Sequence, residues 1–387
     1  MTNQTKLRSK TLGQYYTPTY IVDYIIEYTI GHLVKTDYDK ISSLKVLDPA
    51  CGMGIFMLRA LNFLSSHQKS KLTPERLRRG ILANQLYGID LDPIQIKETL
   101  NILKCPEFDV NFKSFDALIP PPSYPFQFDT SPLEFLRSKL KKDYIDGKLS
   151  EIDKKEQQKI YQIEQRIIEI LKAKLTDEYD VPSVIQPMIW EMVFPETKGR
   201  FDIIIGNPPW GADLFSSELL GSYTVATQQF DSWSLFIERC LDALTDGGRL
   251  GFVLPNTLLL NENYVEVRKF ILESCKIIKI VNLGGNIFPE ITQPSMIIIV
   301  EKNKPPPDHK LEVICHLSPT SISELKSNQS KLSSLHALVC PQDRFLHNPD
   351  LQFEIFSIGY EELKEAIQKD LYDKKVHVKP LGDLVTN

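Results

Sequence analysis

Over residues 18–34 the apolar positions Ile21, Tyr24, Ile25, Tyr28 and Leu33 recur at helical spacing, and Pro18 suits a helix start, so the chain opens with an amphipathic helix. From Lys45 the pattern changes. KVLDPACGMG runs into IFMLRALNFL, and QLYGIDLDP runs into IQIKETLNIL. Short apolar runs closed by turn residues and followed by helical periods predict βαβ units and a doubly wound, mainly parallel α/β sheet. Its ligand crevice should lie at the strand carboxyl ends. Further strands are expected at 201–205, 249–254, 278–283 and 296–301.

Residues 118–199 interrupt this scheme. A proline- and aromatic-rich stretch, 118–133, precedes a charged helical stretch, 134–178, in which Ile160, Ile163, Ile167 and Ile170 repeat at spacings of three and four. This predicts a helical insertion, packed on its host as a hairpin or turned outward to a dimer or nucleic-acid partner. NKPPP at 303–307 reads as a stiff linker before a polar, weakly patterned region. The expected division is a helical segment over 1–40, a catalytic unit over 41–304 and a C-terminal segment over 305–387.

Length and composition allow a large folded core: 387 residues, 42% hydrophobic and 25% charged with both signs interspersed, and no repeat. The six cysteines are scattered without CxxC pairs or nearby histidines, so no metal site and no disulfide framework is expected. No apolar run approaches the ~18 residues of a membrane span and no signal sequence is visible, which points to a cytoplasmic protein. At a net charge of -5, any nucleic-acid partner must meet a local basic face. No paired-carboxylate and lysine signature of a nuclease is present.

Four turns carry candidate chemistry. Asp48-Pro49-Ala50-Cys51-Gly52-Met53-Gly54 joins a strand to a helix, and its glycines let backbone approach a ligand beside a helix N-terminus. It is not the dinucleotide GxGxxG. Cys51, with no base near it in sequence, reads as a small buried residue rather than a nucleophile. Asp90, in GIDLD, stands where α/β folds receive a ribose, because one carboxylate accepts two hydroxyl hydrogen bonds. The alternative for this stretch is a helix N-cap, which suits Asp92 before Pro93 better. Asp116, in SFDAL, could meet the edge of a purine or could simply close a turn.

FDIIIGNPPWGAD is the fourth. Its strand stops on Asn207-Pro208-Pro209-Trp210, where two prolines remove backbone donors and leave an Asn side chain and a proline carbonyl as acceptors toward an amino group. The tryptophan supplies a stacking face for a planar ring, the alternative being a turn with a packed Trp. Such a pocket fits an exocyclic NH2 on a flat base.

In the order GQYYTPTYIVDYI, DPACGMG, GIDLD, SFDAL, NPPW, these strings resemble the gamma class of S-adenosylmethionine-dependent N6-adenine DNA methyltransferases of restriction-modification systems, from about Gly13 to Lys302. The resemblance implies a Rossmann-like class I methyltransferase fold. It implies that Tyr16, Thr17 and Pro18 line the methionine end of S-adenosylmethionine, with Asp48, Pro49, Ala50, Cys51 and Gly52 beneath it. Asp90 would hold the ribose hydroxyls, Asp116 with Ala117 the adenine amino group, and Ile89 or Leu91 the adenine face. Asn207 and the Pro208 carbonyl would accept the target amino group, Pro209 would stiffen the loop, and Trp210 would stack on a flipped adenine. Family members more often carry Tyr or Phe at that position. Phe288 falls where the class has a second aromatic near the flipped base; core packing is its other reading.

The implied partner is double-stranded DNA, and VKPLGD at 378–383 resembles the opening of a target-recognition domain. A separate specificity or nuclease subunit or domain is therefore expected. The competing readings are methylation of RNA adenine or protein glutamine, and a non-catalytic DNA-binding or assembly subunit.

Overall fold

In a computed structural model, residues 17–120, 127–149, 151–179, 186–211, 217–226, 231–288 and 292–358 are described. Tyr16 and 378–383 lie outside them. Strands β1 (Val46–Asp48), β2 (Leu86–Asp90) and β4 (Phe201–Gly206) are buried along nearly their whole length, which is why each reads as a short, mainly apolar run. Their side chains still alternate between faces. Leu47, Ile204 and Phe252 join one core, while Val46, Ile203 and Val253 join the other, so apolar layers cover both sides of the sheet.

Among the described residues the sheet has the order β3-β2-β1-β4-β5-β7-β6-β8-β9. β1 runs parallel to β2 and β4, β2 to β3 (Phe112–Ser114), and β4 to β5 (Leu244–Pro255). The order reverses between β1 and β4, so their carboxyl ends flank a crevice. β7 (Ser295–Glu301) lies antiparallel between β5 and β6 (Lys276–Gly284). The run MIIIVE looks the same for either direction, so sequence alone expects a strand here without its sense.

Three further differences from the sequence reading have local causes. The expected single helix over 18–34 breaks at Thr29 into α1 (Thr19–Tyr28) and α2 (Ile30–Thr36), where the Thr29 hydroxyl donates to the Ile25 carbonyl at 2.6 Å. β5 begins five residues early because Phe201 pairs with Leu244 and Ile203 with Arg249, so the polar residues between bulge out around Gly247 at φ 77°. The chain beyond 303–307 is not a bare linker: β8 (Lys310–Ile314) pairs with β6, and β9 (Leu338–Pro341) pairs with β8.

The helices α3 (Ile55–His67) and α5 (Pro93–Ile102) follow β1 and β2, while α4 (Pro74–Asn84) leads into β2. Pro74 and Pro93 occupy first-turn positions, where a missing N–H costs nothing, behind the caps Thr73 and Asp92. The insertion forms α6 (Ser131–Ile145) and α7 (Glu151–Tyr179). Its buried stripe runs through Ile160, Glu164, Ile168, Leu171 and Leu175, whereas Ile170 is half exposed. Glu164 is tolerated in that stripe because Lys113 of β3 pairs with it at 3.3 Å. On α6, Arg137 and Lys141 converge on Glu196, whose carboxylate they hold well below its usual range despite burial. The hairpin therefore packs on the body through both apolar and ionic contacts.

Candidate active site

The first turn is built around a buried carboxylate. Asp48 ends β1 almost fully buried, and its Oδ1 accepts the Ala50 N–H at 3.1 Å; burial pushes this carboxyl well above its ordinary range, and Asp90 adds to the rise. Asp48 also dictates the neighbouring strand. A Cβ at Gly206 would stand 2.8 Å from Asp48 Oδ1, so only glycine fits where β4 passes it.

The turn then closes on itself. Gly54 N–H donates to the Cys51 carbonyl at 2.8 Å, Cys51 N–H to Ile89 at 2.8 Å, and the Thr99 hydroxyl to the Gly52 carbonyl at 2.7 Å. Gly54 has φ 78°, and a Cβ there would lie 2.8 Å from Thr99 Cγ2. At Gly52, by contrast, φ is 51° and a Cβ would meet nothing within 4 Å. The space over Gly52 is open to a ligand, while the space beside Gly54 is filled by protein.

Asp90 ties the second strand to this turn. Its Oδ2 accepts the Gly52 N–H at 2.8 Å and its Oδ1 the Asp92 N–H at 2.9 Å. Burial raises the Asp90 carboxyl to about 6 although these N–H groups oppose the shift. Asp92 takes the helix-capping role, accepting from Ile94 N–H at 2.9 Å, which frees Asp90 from it. Of the two candidate ring faces, Ile89 is wholly buried in the core and Leu91 is half exposed, so only Leu91 is accessible to a ring in the cleft. Pro49 and Cys51 are buried, Ala50 and Gly52 partly so. Cys51 Sγ rests 3.8 Å from Thr99 Oγ1, and burial pushes its thiol well up, consistent with packing rather than reactivity.

Asp116 follows β3. Its Oδ1 accepts the Leu118 N–H at 3.0 Å, and burial raises its carboxyl to about 6, with Arg239 opposing. Arg239 and Ala117 belong together: the guanidinium Nε donates to the Ala117 carbonyl at 3.1 Å. Arg239 was invisible to sequence reasoning because it arrives from α8 (Ser232–Ala243), far along the chain. Thr99 escaped for the same reason.

The fourth turn leaves β4. Asn207 Nδ2 donates to Thr17 Oγ1 at 3.3 Å, while Asn207 Oδ1 is buried with no hydrogen-bond partner among the described residues. A buried carbonyl oxygen without a donor costs roughly 1–3 kcal/mol, and at this strand end it is free to accept from a ligand. Pro208 is buried and Pro209 partly so, and the Pro209 carbonyl accepts the Ser232 hydroxyl at 2.6 Å. The Trp210 and Phe288 rings meet edge to face, centroids 5.7 Å apart and planes at 89°. Phe288 is buried, so it backs Trp210 instead of offering an open face. Thr17 is buried beside Asn207, and Pro18 directly precedes α1.

Open space over Gly52, a buried carboxylate at the end of β2, a part-buried one after β3, and an amide oxygen with no partner among the described residues at the end of β4 form one row along the strand carboxyl ends. Residues 84–288 match the model of the Eco57I restriction-modification methylase family, and residues 1–129 that of the N-6 DNA methylases. The chain belongs to the Eco57I restriction-modification methylase family. It is 26% identical over 313 residues to an Escherichia coli type II restriction enzyme and methyltransferase, RM.Eco57I, covering 74% of this chain and 27% of that protein. A Methanocaldococcus jannaschii protein of the same description, marked putative, is 22% identical over 435 residues, covering 79% and 37%. The chain thus spans about a quarter to two fifths of these relatives. In fold it resembles the DrdV–DNA complex, with a TM-score of 0.57, 15% identity, and coverage of 90% of this chain and 32% of that one.

The site thus offers an open glycine cradle and two carboxylates able to accept hydroxyl or amino hydrogens. Among the described residues no group of three or more His, Cys, Asp or Glu is placed to hold a metal ion, and no helix is long and apolar enough to cross a membrane.

Proposed function

We propose that this chain transfers a methyl group from S-adenosylmethionine to the N6 amino group of adenine in double-stranded DNA, as the catalytic part of a restriction-modification enzyme. The observation that carries the reading is Asn207 Oδ1, a buried acceptor with no donor among the described residues, held at the end of β4 beside Trp210. Bound S-adenosylmethionine supplies an electrophilic sulfonium methyl group.

This chain's residues do the rest. Asp90 accepts from the ribose hydroxyls and Asp116 from the adenine amino group, with Leu91 against the ring; Thr17 and Pro18 close the methionine end. The target base must leave the duplex to reach the crevice, at a cost of a few kcal/mol, and Trp210 replaces lost stacking. Asn207 Oδ1 and the Pro208 carbonyl accept both hydrogens of the target amino group. That pairing draws its lone pair out of conjugation and aims it at the cofactor side of the crevice, so alignment and polarisation replace a strong base. Residues 305–387 lead, in this reading, toward target recognition, which the same protein or a partner subunit supplies.

The test is transfer of labelled methyl from S-adenosylmethionine to unmethylated DNA, followed by digestion to nucleosides. Label should appear in N6-methyladenine and vanish with Asn207→Ala. Label in RNA or in protein glutamine instead would overturn the substrate, and cofactor binding without transfer in the presence of DNA and any partner subunit would overturn the activity.

A further inference from the structure

The Asn207-Pro208-Pro209 segment poses a mechanical problem. Two consecutive prolines offer no N–H, so the segment cannot be pinned by its own backbone donors and must be held from outside through its carbonyls and side chains. Ser232 meets that need. Its hydroxyl, on the first residue of α8 and almost fully buried, donates to the Pro209 carbonyl at 2.6 Å. The residue before it is fixed in turn: the Asp231 carboxylate accepts from Trp233 Nε1 at 3.2 Å and from the Tyr264 hydroxyl, and the Asp231 carbonyl accepts the Ser234 hydroxyl at 2.7 Å. Trp233 and Tyr264 lie against each other with centroids 4.7 Å apart.

The bond also selects acceptors. With the Pro209 carbonyl engaged by Ser232 and Asn207 Nδ2 engaged by Thr17, Asn207 Oδ1 is the side-chain acceptor left over, next to the Pro208 carbonyl. We propose that Ser232 is a positioning residue that fixes the Pro209–Trp210 peptide and so aims the amino-group acceptors and the stacking tryptophan. This rests on the methyl-transfer reading above. Ser232 touches neither the base nor the cofactor; it acts through the loop.

The test uses the whole chain with 5-fluorotryptophan in place of its three tryptophans, giving three fluorine resonances of which the Trp210 signal is assigned by Trp210→Phe. Ser232→Ala should shift the Trp210 signal while leaving that of Trp190 in place. It should also lower the single-turnover methylation rate about 10- to 100-fold, the scale expected when a reacting group is misplaced, with S-adenosylmethionine affinity changed less than about twofold. Ser232→Thr, which keeps the hydroxyl, should restore both readouts. An unmoved Trp210 signal, an unchanged rate, or a Thr variant as slow as the Ala variant would overturn the assignment. A moved Trp210 signal in a chain that never makes N6-methyladenine would leave the clamp standing and fell the methyl-transfer reading alone.

Discussion

The carboxyl ends of β1 and β2 and the carboxyl end of β4 solve opposite problems. At the first, every carboxylate is already met by backbone: Asp48 by Ala50, and Asp90 by Gly52 and Asp92. The turn is preformed, and a ligand adds to a satisfied network. At β4 the prolines have removed the backbone donors, Asn207 Oδ1 has no partner among the described residues, and the loop is steadied by side chains distant in sequence, Thr17 and Ser232. A pocket made by backbone tolerates an empty state cheaply; a pocket made by an unsatisfied acceptor is waiting for its donor.

The largest expected effect breaks the second pocket and spares the first. Asn207→Ala should lower the methylation rate about 10²- to 10³-fold, as loss of one preorganised polar group does elsewhere, with cofactor affinity unchanged by calorimetry. Equal losses in rate and affinity would mean that the two pockets are not separate.

Asp90→Ala tests the other side. It should weaken S-adenosylmethionine binding about 10- to 100-fold through lost bonds to a charged acceptor, with a smaller effect on the rate at saturating cofactor. Binding that survives the change would remove Asp90 from the ribose role.

A pH series sharpens the same point. Asp90 and Asp116 both have carboxyls raised to about 6, chiefly by burial. Because the folded value lies above the unfolded one, the folded chain binds protons more tightly between about pH 4 and 6, so these groups favour folding most at low pH and that contribution is lost as pH rises through 6. Cofactor binding has the opposite sign, since hydroxyl and amino donors need ionised acceptors. The dissociation constant should rise by up to about tenfold per pH unit for each group that must lose its proton, as pH falls below 6. A flat profile from pH 5 to 8 would show that the carboxylates do not accept from the cofactor.

The smallest effect is on stability. Gly54→Ala forces a Cβ into Thr99 at a positive φ and should cost about 1–3 kcal/mol in denaturant unfolding. Gly52→Ala, facing open space, carries the backbone strain without the clash and should cost less, yet impair cofactor binding more.

The sequence made the turns legible because each required unusual residues: glycines with left-handed backbone, an acid at a strand end, a double proline after IIIG. The nine-stranded order was legible only in part. βαβ alternation announced β1, β2 and their helices, but the sense of β7 and the attachment of β8 and β9 depend on which apolar run meets which, and no local pattern carries that. Thr99, Arg239 and Ser232 were hidden for a related reason. Ser232 stands in a readable helix start, Asp-Ser before an apolar run, yet its bond to Pro209 is a fact of the fold. The stripe of α7 shows a smaller failure: Ile170 fits a spacing rule drawn from isoleucines alone, whereas the true stripe passes through charged Glu164 and turns Ile170 outward.

The pairing of that Glu164 with Lys113 has a consequence for how the protein behaves among copies of itself. β3 ends the sheet and is three residues long, and the insertion anchors α7 against it through this ion pair. A short end strand with its lysine engaged by a helix offers a neighbouring chain little ladder to extend.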